Sequence, residues 1–378
     1  MTLFDVYPLY DLEPVRARDV YVWDKNGTRY LDCYGGHAVI SIGHCHPHYL
    51  QRVQTQLQRI GFYSNSVQIP LQPELAEKLG QLSGYADYRL FLCNSGAEAN
   101  ENALKLASFH NGRKVVIAFE HSFHGRTSAT VMATDNPKIR APINDRPEVI
   151  FLPLNDEAAL TRAFERDDIC AVIVEGIQGI GGIRVPAPSF LQKIAARCEN
   201  SGAVFILDEV QSGYGRSGKF FAHQFSPVRP DLITVAKGMG NGFPVAGVLI
   251  HPKFQASHGL LGTTFGGSHL ACAAALAVVE VIEQENLIAN SASLGGYLLA
   301  GLRRLTKGVR EVRGLGLMIG IELEFASANL RKQLLFEHKI FTGSSHDANT
   351  IRLLPPLTLQ REHADYFLEC FAKALAAQ

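Results

Sequence analysis

The chain has 378 residues, with 36 Lys+Arg against 36 Asp+Glu and 47% hydrophobic residues. That length suits roughly two domains of about 100–200 residues each. Zero formal net charge argues against a nucleic-acid partner, which asks for a basic face, and against a highly charged disordered chain. The N-terminal stretch up to Asp19 has no apolar core after a basic start and carries acidic residues, so neither a signal peptide nor a transit peptide is expected. Tyr21–Asp32 holds Asn26-Gly27 between strand-like halves, the signature of a hairpin that must pack on something larger.

A series of short apolar runs follows. Arg89–Cys93 ends in the turn Asn94-Ser95-Gly96, with a helix expected over Ala97–His110. Val115–Phe119, Val149–Leu152, Ala171–Gly176, Val204–Glu209 and Leu232–Lys237 continue the series, with helices expected near Asp156–Arg166 and Ser189–Asn200. Continuous Val/Ile/Leu runs are the mark of strands buried on both faces, as in a parallel sheet flanked by helices. The alternation predicts an α/β fold with right-handed crossovers and ligands at the carboxyl ends of the strands. After about Gly267 the texture becomes α+β. Ala271–Ile282 is apolar but too short for a membrane span, so it is expected to be a buried helix. The seven cysteines (Cys33, Cys45, Cys93, Cys170, Cys198, Cys272 and Cys370) are scattered and form no C-x-x-C pair. They fit reduced thiols in a cytoplasmic protein.

Four features bear on chemistry. Asn94-Ser95-Gly96-Ala97 joins a strand to a helix N-terminus, which can bind an anion, although many such turns bind nothing. Asp208 closes an apolar strand, where it either pairs with a cationic ring nitrogen or caps the next helix. Lys237 closes another strand before Gly238-Met239-Gly240-Asn241-Gly242; it is either a surface lysine or a buried, reactive amine. Ser122-Phe123-His124-Gly125-Arg126-Thr127 offers an aromatic face and a guanidinium able to read a carboxylate, or simply a loop that packs locally. Together they meet the requirements of pyridoxal phosphate: an amine, an acid for the ring nitrogen, an anion-binding turn and an aromatic plate.

The ordered motifs then become specific. They are Gly43-His44-Cys45-His46-Pro47, NSGAEANENALKLA (Asn94–Ala107), SFHGRT from Ser122, VEGIQGIGG (Val174–Gly182), LDEVQSGYGRSGKFFA (Leu207–Ala222), PDLITVAKGMGNGFPVAG (Pro230–Gly247) and GTTFGGS (Gly262–Ser268). With Tyr21–Asp24 and Ile351-Arg352-Leu353 at the two ends, the chain resembles class III pyridoxal-phosphate-dependent aminotransferases over nearly its whole length. The resemblance implies fold type I, a mainly parallel seven-stranded sheet flanked by helices with a smaller α+β domain. It implies a large domain over 46–266 and a small one from 1–45 with 267–378. It implies that Lys237 forms the Schiff base and Asp208 pairs with the pyridine nitrogen. Gln211 would lie near the ring hydroxyl, Ser95, Gly96 and Ala97 would hold the phosphate, and Phe123 would stack on the ring. Glu175 would be a supporting carboxylate. Thr264 would reach the phosphate of a partner subunit's cofactor, in a homodimer with shared sites. Arg126 would bind the substrate's distal carboxylate and Arg352 the α-carboxylate of glutamate or 2-oxoglutarate.

Three departures stand out. The family pattern E-P-x-Q-G-E-G-G carries Glu where this chain has Ile180 and Pro where it has Gly176, and Ser268-His269 replaces Asn-Pro. A Glu at that position can pair with the α-carboxylate arginine; Ile180 cannot. The expected activity is transfer of the δ-amino group of N-acetylornithine or N-succinylornithine to 2-oxoglutarate, in arginine biosynthesis. Ornithine, 4-aminobutyrate or another amine is the alternative donor. His44, His46 and His48 with Cys45 resemble metal ligands, but no carboxylate partner is evident, and no metal is expected. Glu98 and Glu101 are expected to suit the dipole of their own helix.

Overall fold

The computed structural model describes residues 1–144 and 148–378. Its centre is a seven-stranded sheet of β1 (Arg89–Cys93), β2 (Val115–Phe119), β3 (Val149–Leu152), β4 (Ile169–Glu175), β5 (Val204–Asp208), β6 (Leu232–Val235) and β7 (Ala246–Ile250). The order across the sheet is β1-β7-β6-β5-β4-β2-β3. Strands β2 to β6 run parallel, and only β7 pairs antiparallel with its neighbours β1 and β6.

The continuous apolar runs are explained by burial on both faces. Ala171, Ile173, Val204 and Ile206 pack on one side with Ala99, Ala103 and Ala107 of the Gly96–Asn111 helix. The small side chains, four residues apart, let that helix lie close on the sheet. The alternate residues Val172, Val174, Phe205 and Leu207 pack on the other side with Phe190 and Ile194 of the Pro188–Ser201 helix. This period of two is what a pleated strand imposes.

Helix His269–Gln284 is buried from Ala271 through Ile282. It packs against two amphipathic helices, Pro47–Arg59 and Leu71–Ser83, which fill a stretch for which the sequence suggested no element. Among the described residues no helix is long and apolar enough to cross a membrane. All seven cysteines are free thiols.

Two smaller sheets flank the core. In one, the strands Pro14–Arg18, Tyr21–Asp24 and Arg29–Asp32 are joined in parallel by Ile340–Phe341. The Asn26-Gly27 turn does connect two antiparallel strands, and Asp24 Oδ1 accepts the N–H groups of Asn26 and Thr28 at 2.9 Å each. In the other, the strands run in the order Val309–Leu315, Met318–Leu323, Thr350–Leu353, Gly343–Ser344.

Arg216 ties the centre to this second sheet. It is 2% exposed, and its Nη1 donates to the carbonyls of Leu317, at 3.3 Å, and Pro355. Burial works against the guanidinium charge, and the Asp32 carboxylate restores part of it. Leaving those two buried carbonyls without a donor costs about 1–3 kcal/mol each. Arg216→Met is therefore expected to lower the urea midpoint of unfolding. A midpoint at or above that of the unmutated protein would show the guanidinium to be dispensable.

Candidate active site

Strand register gathers the charged residues. Glu175 is opposite Asp208 across β4 and β5, and Asp208 is opposite Thr234 across β5 and β6. Three residues beyond Thr234 comes Lys237, which opens a 3-10 turn with φ of 47°. That turn is pinned from the N-terminal part of the chain. Ser41 Oγ donates to the Gly238 carbonyl at 2.7 Å, the Ser41 and Ile42 N–H groups donate to Asn241 Oδ1, and Tyr49 Oη donates to the Gly240 carbonyl. A non-glycine residue held at positive φ at a strand end marks backbone strain retained where side-chain aim matters.

Lys237, Asp208, Glu175, Gln211, Phe123, Arg126, Ser95, Gly96 and Ala97 all line one cavity of about 430 Å³. Burial depresses the Lys237 pKa, opposed by the Asp208 and Glu175 carboxylates and reinforced by the charge of Arg352. Burial also raises the Glu175 carboxyl, to about 7; a charge on His124 opposes this and the Asp208 carboxylate adds to it. Glu175 Oε1 accepts the Phe123 N–H at 3.0 Å and Oε2 the Gly179 N–H at 2.8 Å, so this acid sets the loop that carries the aromatic ring.

Asp208 is held by residues that sequence reasoning did not single out. Its Oδ2 accepts from Asn100 Nδ2 at 2.7 Å and from the His124 ring Nδ1 at 2.8 Å, and its Oδ1 accepts the Val210 N–H at 3.0 Å. Asn100 is fixed in turn, accepting from Thr234 Oγ1 at 2.7 Å and donating to the His124 carbonyl at 2.8 Å. His124 Nε2 is buried and has no partner among the described residues. Asn100 sits one helical turn after Gly96 on the face toward the sheet, a signal the motif contained. His124 sits inside SFHGRT, where the neighbouring Phe, Gly and Arg drew attention first.

At the anion turn, Ser95 caps the Gly96–Asn111 helix by accepting the Glu98 N–H at 3.2 Å. The N–H groups of Gly96 and Ala97 lie in the first turn, where no carbonyl of the same helix can reach them. A Cβ on Gly96 would come within 2.7 Å of Val210 Cγ1, so only glycine allows this turn to approach the strand β5 side of the cavity. The two acids here do not simply face their own helix end. Glu98 accepts from Asn94, and Glu101 accepts the Ala129 and Thr130 N–H groups and the Thr127 hydroxyl of the next helix.

Arg352 lies just behind the cavity wall, 1% exposed. It donates from Nε to the Ser344 carbonyl at 2.5 Å, from Nη1 to Gln211 Oε1 at 3.2 Å and from Nη2 to Tyr34 Oη at 3.5 Å. No carboxylate pairs with it among the described residues. Ile180 is half-buried and its carbonyl accepts the His346 N–H. Thr264 is exposed and does not line the cavity; its neighbour Thr263 is the residue that touches the anion turn, through Asn94. The three histidines near Pro47 do have carboxylate partners, contrary to the sequence expectation, but three separate ones: Asp32, Glu285 and Glu280. Among the described residues no cluster has the makings of a metal site.

Comparison with known proteins follows the same line. The family model described as Aminotransferase class-III matches residues 6–375. An acetylornithine aminotransferase of Bacillus subtilis is 38% identical over 380 residues, covering 99% of this chain and 98% of its own. One of Methanosarcina acetivorans is 36% identical over 375 residues, covering 98% and 94%. The crystal structure of an ornithine aminotransferase from Toxoplasma gondii superposes with a TM-score of 0.92 at 26% identity, covering 98% of this chain and 91% of that one. The chain belongs to the class III aminotransferases. It is a pyridoxal-phosphate-dependent transaminase acting on an amine and a 2-oxo acid.

The residues present fit that cofactor. The cavity combines a buried amine of lowered pKa, a carboxylate fixed by two side-chain donors and a backbone N–H, and a glycine cradle open at a helix N-terminus. Asn100→Ala removes one donor from Asp208 and the acceptor of Thr234. The protein is expected to lose about 1–3 kcal/mol of stability and to bind pyridoxal phosphate more weakly, read by thermal unfolding and by absorbance titration. Unchanged cofactor affinity would show that Asp208 is held well enough without Asn100.

Proposed function

We propose that the chain moves the δ-amino group of an N-acylornithine, acetylated or succinylated, to 2-oxoglutarate. The products are the N-acylglutamate semialdehyde and glutamate, a step of arginine biosynthesis. The observation that carries this reading is Arg352: a buried guanidinium with no carboxylate partner among the described residues, behind a cavity that Arg126 also lines. Two such cations suit the two ends of a five-carbon dicarboxylate, and Arg126 suits the carboxylate of an acylornithine, which lies distal to its reacting δ-carbon. The names of the similar enzymes supply the acylornithine.

In this reading Ser95, Gly96 and Ala97 receive the phosphate and Phe123 covers one face of the ring. Val210 also lines the cavity, Gln211 sits at the ring hydroxyl and Glu175 fixes the Phe123 loop. Asp208, held by Asn100 and His124, keeps a proton on the ring nitrogen. Pyridoxal phosphate supplies an aldehyde that bonds the amine and a cationic ring that stabilises negative charge on the substrate carbon. Lys237 Nζ, whose charge burial disfavours, would take the proton from the carbon bearing the transferred nitrogen and deliver one to the cofactor carbon bonded to that nitrogen. Arg126 and Arg352 orient the acceptor.

A second reading, with ornithine, 4-aminobutyrate or another amine as donor, is favoured by Ile180, which leaves Arg352 open to any α-carboxylate. A half-reaction screen separates the two. The pyridoxal form is mixed with each amine, and loss of its visible absorption band is followed. Rapid conversion by N-acetylornithine or N-succinylornithine is expected. Inertness toward both would remove the first reading. Borohydride should fix the cofactor onto Lys237, and Lys237→Ala should lose turnover by orders of magnitude; a Lys237→Ala protein with full turnover would refute the role given to that amine.

We further propose a cytoplasmic homodimer in which Thr264 reaches the partner's phosphate, and a division into 46–266 and 1–45 with 267–378. Leu57, Phe62, Tyr63 and Phe265 are exposed apolar residues on the stretches around Thr264, and the Phe62 and Phe265 rings lie 5.3 Å apart at a tilt of 51°. The parallel pairing of Ile340–Phe341 with Leu31-Asp32 supports assigning the two chain ends to one unit.

A further inference from the structure

Arg352 stands on the strand Thr350–Leu353, and Arg313 stands two strands away in the same sheet. Strand pairing sets Arg313 opposite Gly320, and Gly320 opposite Arg352. Paired residues project from the same face of a sheet, so the two arginines flank a position that carries no side chain. Backbone of the loop that follows Glu175 fills this gap. A Cβ on Gly320 would lie 3.0 Å from both the Gly182 carbonyl oxygen and Ile183 Cβ. The loop is strained there: Gly182 has φ of 96°, and the branched residue Ile183 is held at 59°. A β-branched residue keeps such a φ only where its surroundings over-determine it.

Arg313 holds the loop from the side of this sheet. Its Nε donates to the Gly182 carbonyl at 2.7 Å and its Nη2 to Thr350 Oγ1 at 3.2 Å. Its Nη1 reaches Glu311 and Glu322 at 2.6 Å each, which fixes the guanidinium plane. Thr350 Oγ1 donates in turn to Asp347 Oδ2 at 2.6 Å. The other end of the loop bears on the partners of Arg352. Gly179 lies against Gln211, since a Cβ there would fall 1.7 Å from Gln211 Oε1, the atom that accepts from Arg352 Nη1. The Ile180 carbonyl accepts the His346 N–H at 2.8 Å. His346 is two residues after Ser344, whose carbonyl accepts from Arg352 Nε. The stretch 179–182 therefore sets two of the groups that aim Arg352.

A carboxylate at position 180 could tie this loop to Arg352 directly, but it would compete with a substrate carboxylate for the same guanidinium. The bonds of Arg313 close the same seam and leave Arg352 to the substrate. We propose that Arg313 is a positioning residue for the oxo-acid half of the reaction. By seating the loop on Gly320 it fixes Gln211 and the backbone from Ser344 to His346 around Arg352. It thereby sets the grip of Arg352 on the α-carboxylate of glutamate or 2-oxoglutarate. This deepens the reading of Arg352 as the α-carboxylate site and rests on it. A donor that reacts at its δ-carbon puts its carboxylate at Arg126, on the separate Ser122–Thr127 loop, and is expected to feel little of the change.

The test uses the holoenzyme and three variants. Arg313→Met deletes the donors and keeps an apolar stem, and Arg313→Lys restores a single cationic donor. Gly320→Ala leaves Arg313 in place and pushes the loop off the strand, so it decides the matter where Arg313→Met fails to fold. Stopped-flow half-reactions follow the pyridoxal form with glutamate, N-acetylornithine and 4-aminobutyrate, and the pyridoxamine form with 2-oxoglutarate. The last two amines carry no carboxylate on the reacting carbon. Arg313→Met and Gly320→Ala are each expected to raise the half-saturating concentrations of glutamate and 2-oxoglutarate about tenfold, with limiting rates within about threefold. The reactive ω-amine and the affinity for pyridoxal phosphate should stay within about threefold, and Arg313→Lys should recover part of the loss. Equal loss on the ω-amine and on glutamate, or weakened cofactor binding, would make Arg313 a general support of the fold and overturn the proposal, as would no loss on glutamate. Unmutated protein inert toward both ω-amines would count against the donor reading while glutamate still decides this one. Unmutated protein inert toward glutamate and 2-oxoglutarate would remove the Arg352 reading, and this proposal with it.

Discussion

The site depends on one constraint: an amine must be kept in a dry interior at the carboxyl edge of a sheet that is apolar on both faces. Burial of Lys237 penalises its charge, and among the described residues the Asp208 and Glu175 carboxylates, at the ends of the next two strands, oppose this. The parallel register sets them side by side, so the same pairing that stabilises the sheet also sets the electrostatics of the amine. Two acids at adjacent strand ends would repel one another if left alone. Backbone N–H groups from Val210, Phe123 and Gly179, and side chains from Asn100 and His124, absorb that negative charge.

A second layer of control comes from outside the central sheet. The Lys237 turn is gripped by Ser41 and Tyr49, and the Arg352 guanidinium by Gln211, Tyr34 and the Ser344 carbonyl. The ends of the chain thus close over a site whose floor is built from its middle. Arg216 does related work lower down, satisfying carbonyls of two later segments with one buried guanidinium. Ser41, Tyr49, Gln211, Arg352 and Arg216 all donate to main-chain oxygens, which ties separate backbone segments together.

Much of this architecture was readable before any coordinates. Ile169–Glu175, Val204–Asp208 and Leu232–Val235 announce themselves as runs of buried apolar residues, and helix Gly96–Asn111 begins one residue before the expected Ala97. Lys237, Asp208, Glu175 and the Ser95–Ala97 turn were legible at strand ends, Phe123 and Arg126 in the Ser122–Thr127 loop and Gln211 through the family resemblance, and all line one cavity. The helices Pro47–Arg59 and Leu71–Ser83 were not legible, because their polar faces dilute any apolar run and their partner lies some 200 positions later. The histidines near Pro47 looked partnerless for the same reason: Glu280 and Glu285 are remote in sequence.

What the sequence by itself determined is local: which runs become buried strands, which turns carry glycine for close approach, and which residues offer the chemistry of an amine-transferring site. That follows because period, capping and residue type act over a few positions. What only the tertiary structure decided is mutual placement. Asn100 and His124 become the clamp on Asp208 through strand register and loop packing. Among the described residues no carboxylate pairs with Arg352, and the apolar Ile180 side chain offers none. Tyr34 and His37 meet the Gln211–Arg352 pair through a left-handed turn held by groups from two distant segments. Hydrogen bonds between residues 141 to 318 positions apart have no signature in sequence, since they depend on how the whole chain closes on itself.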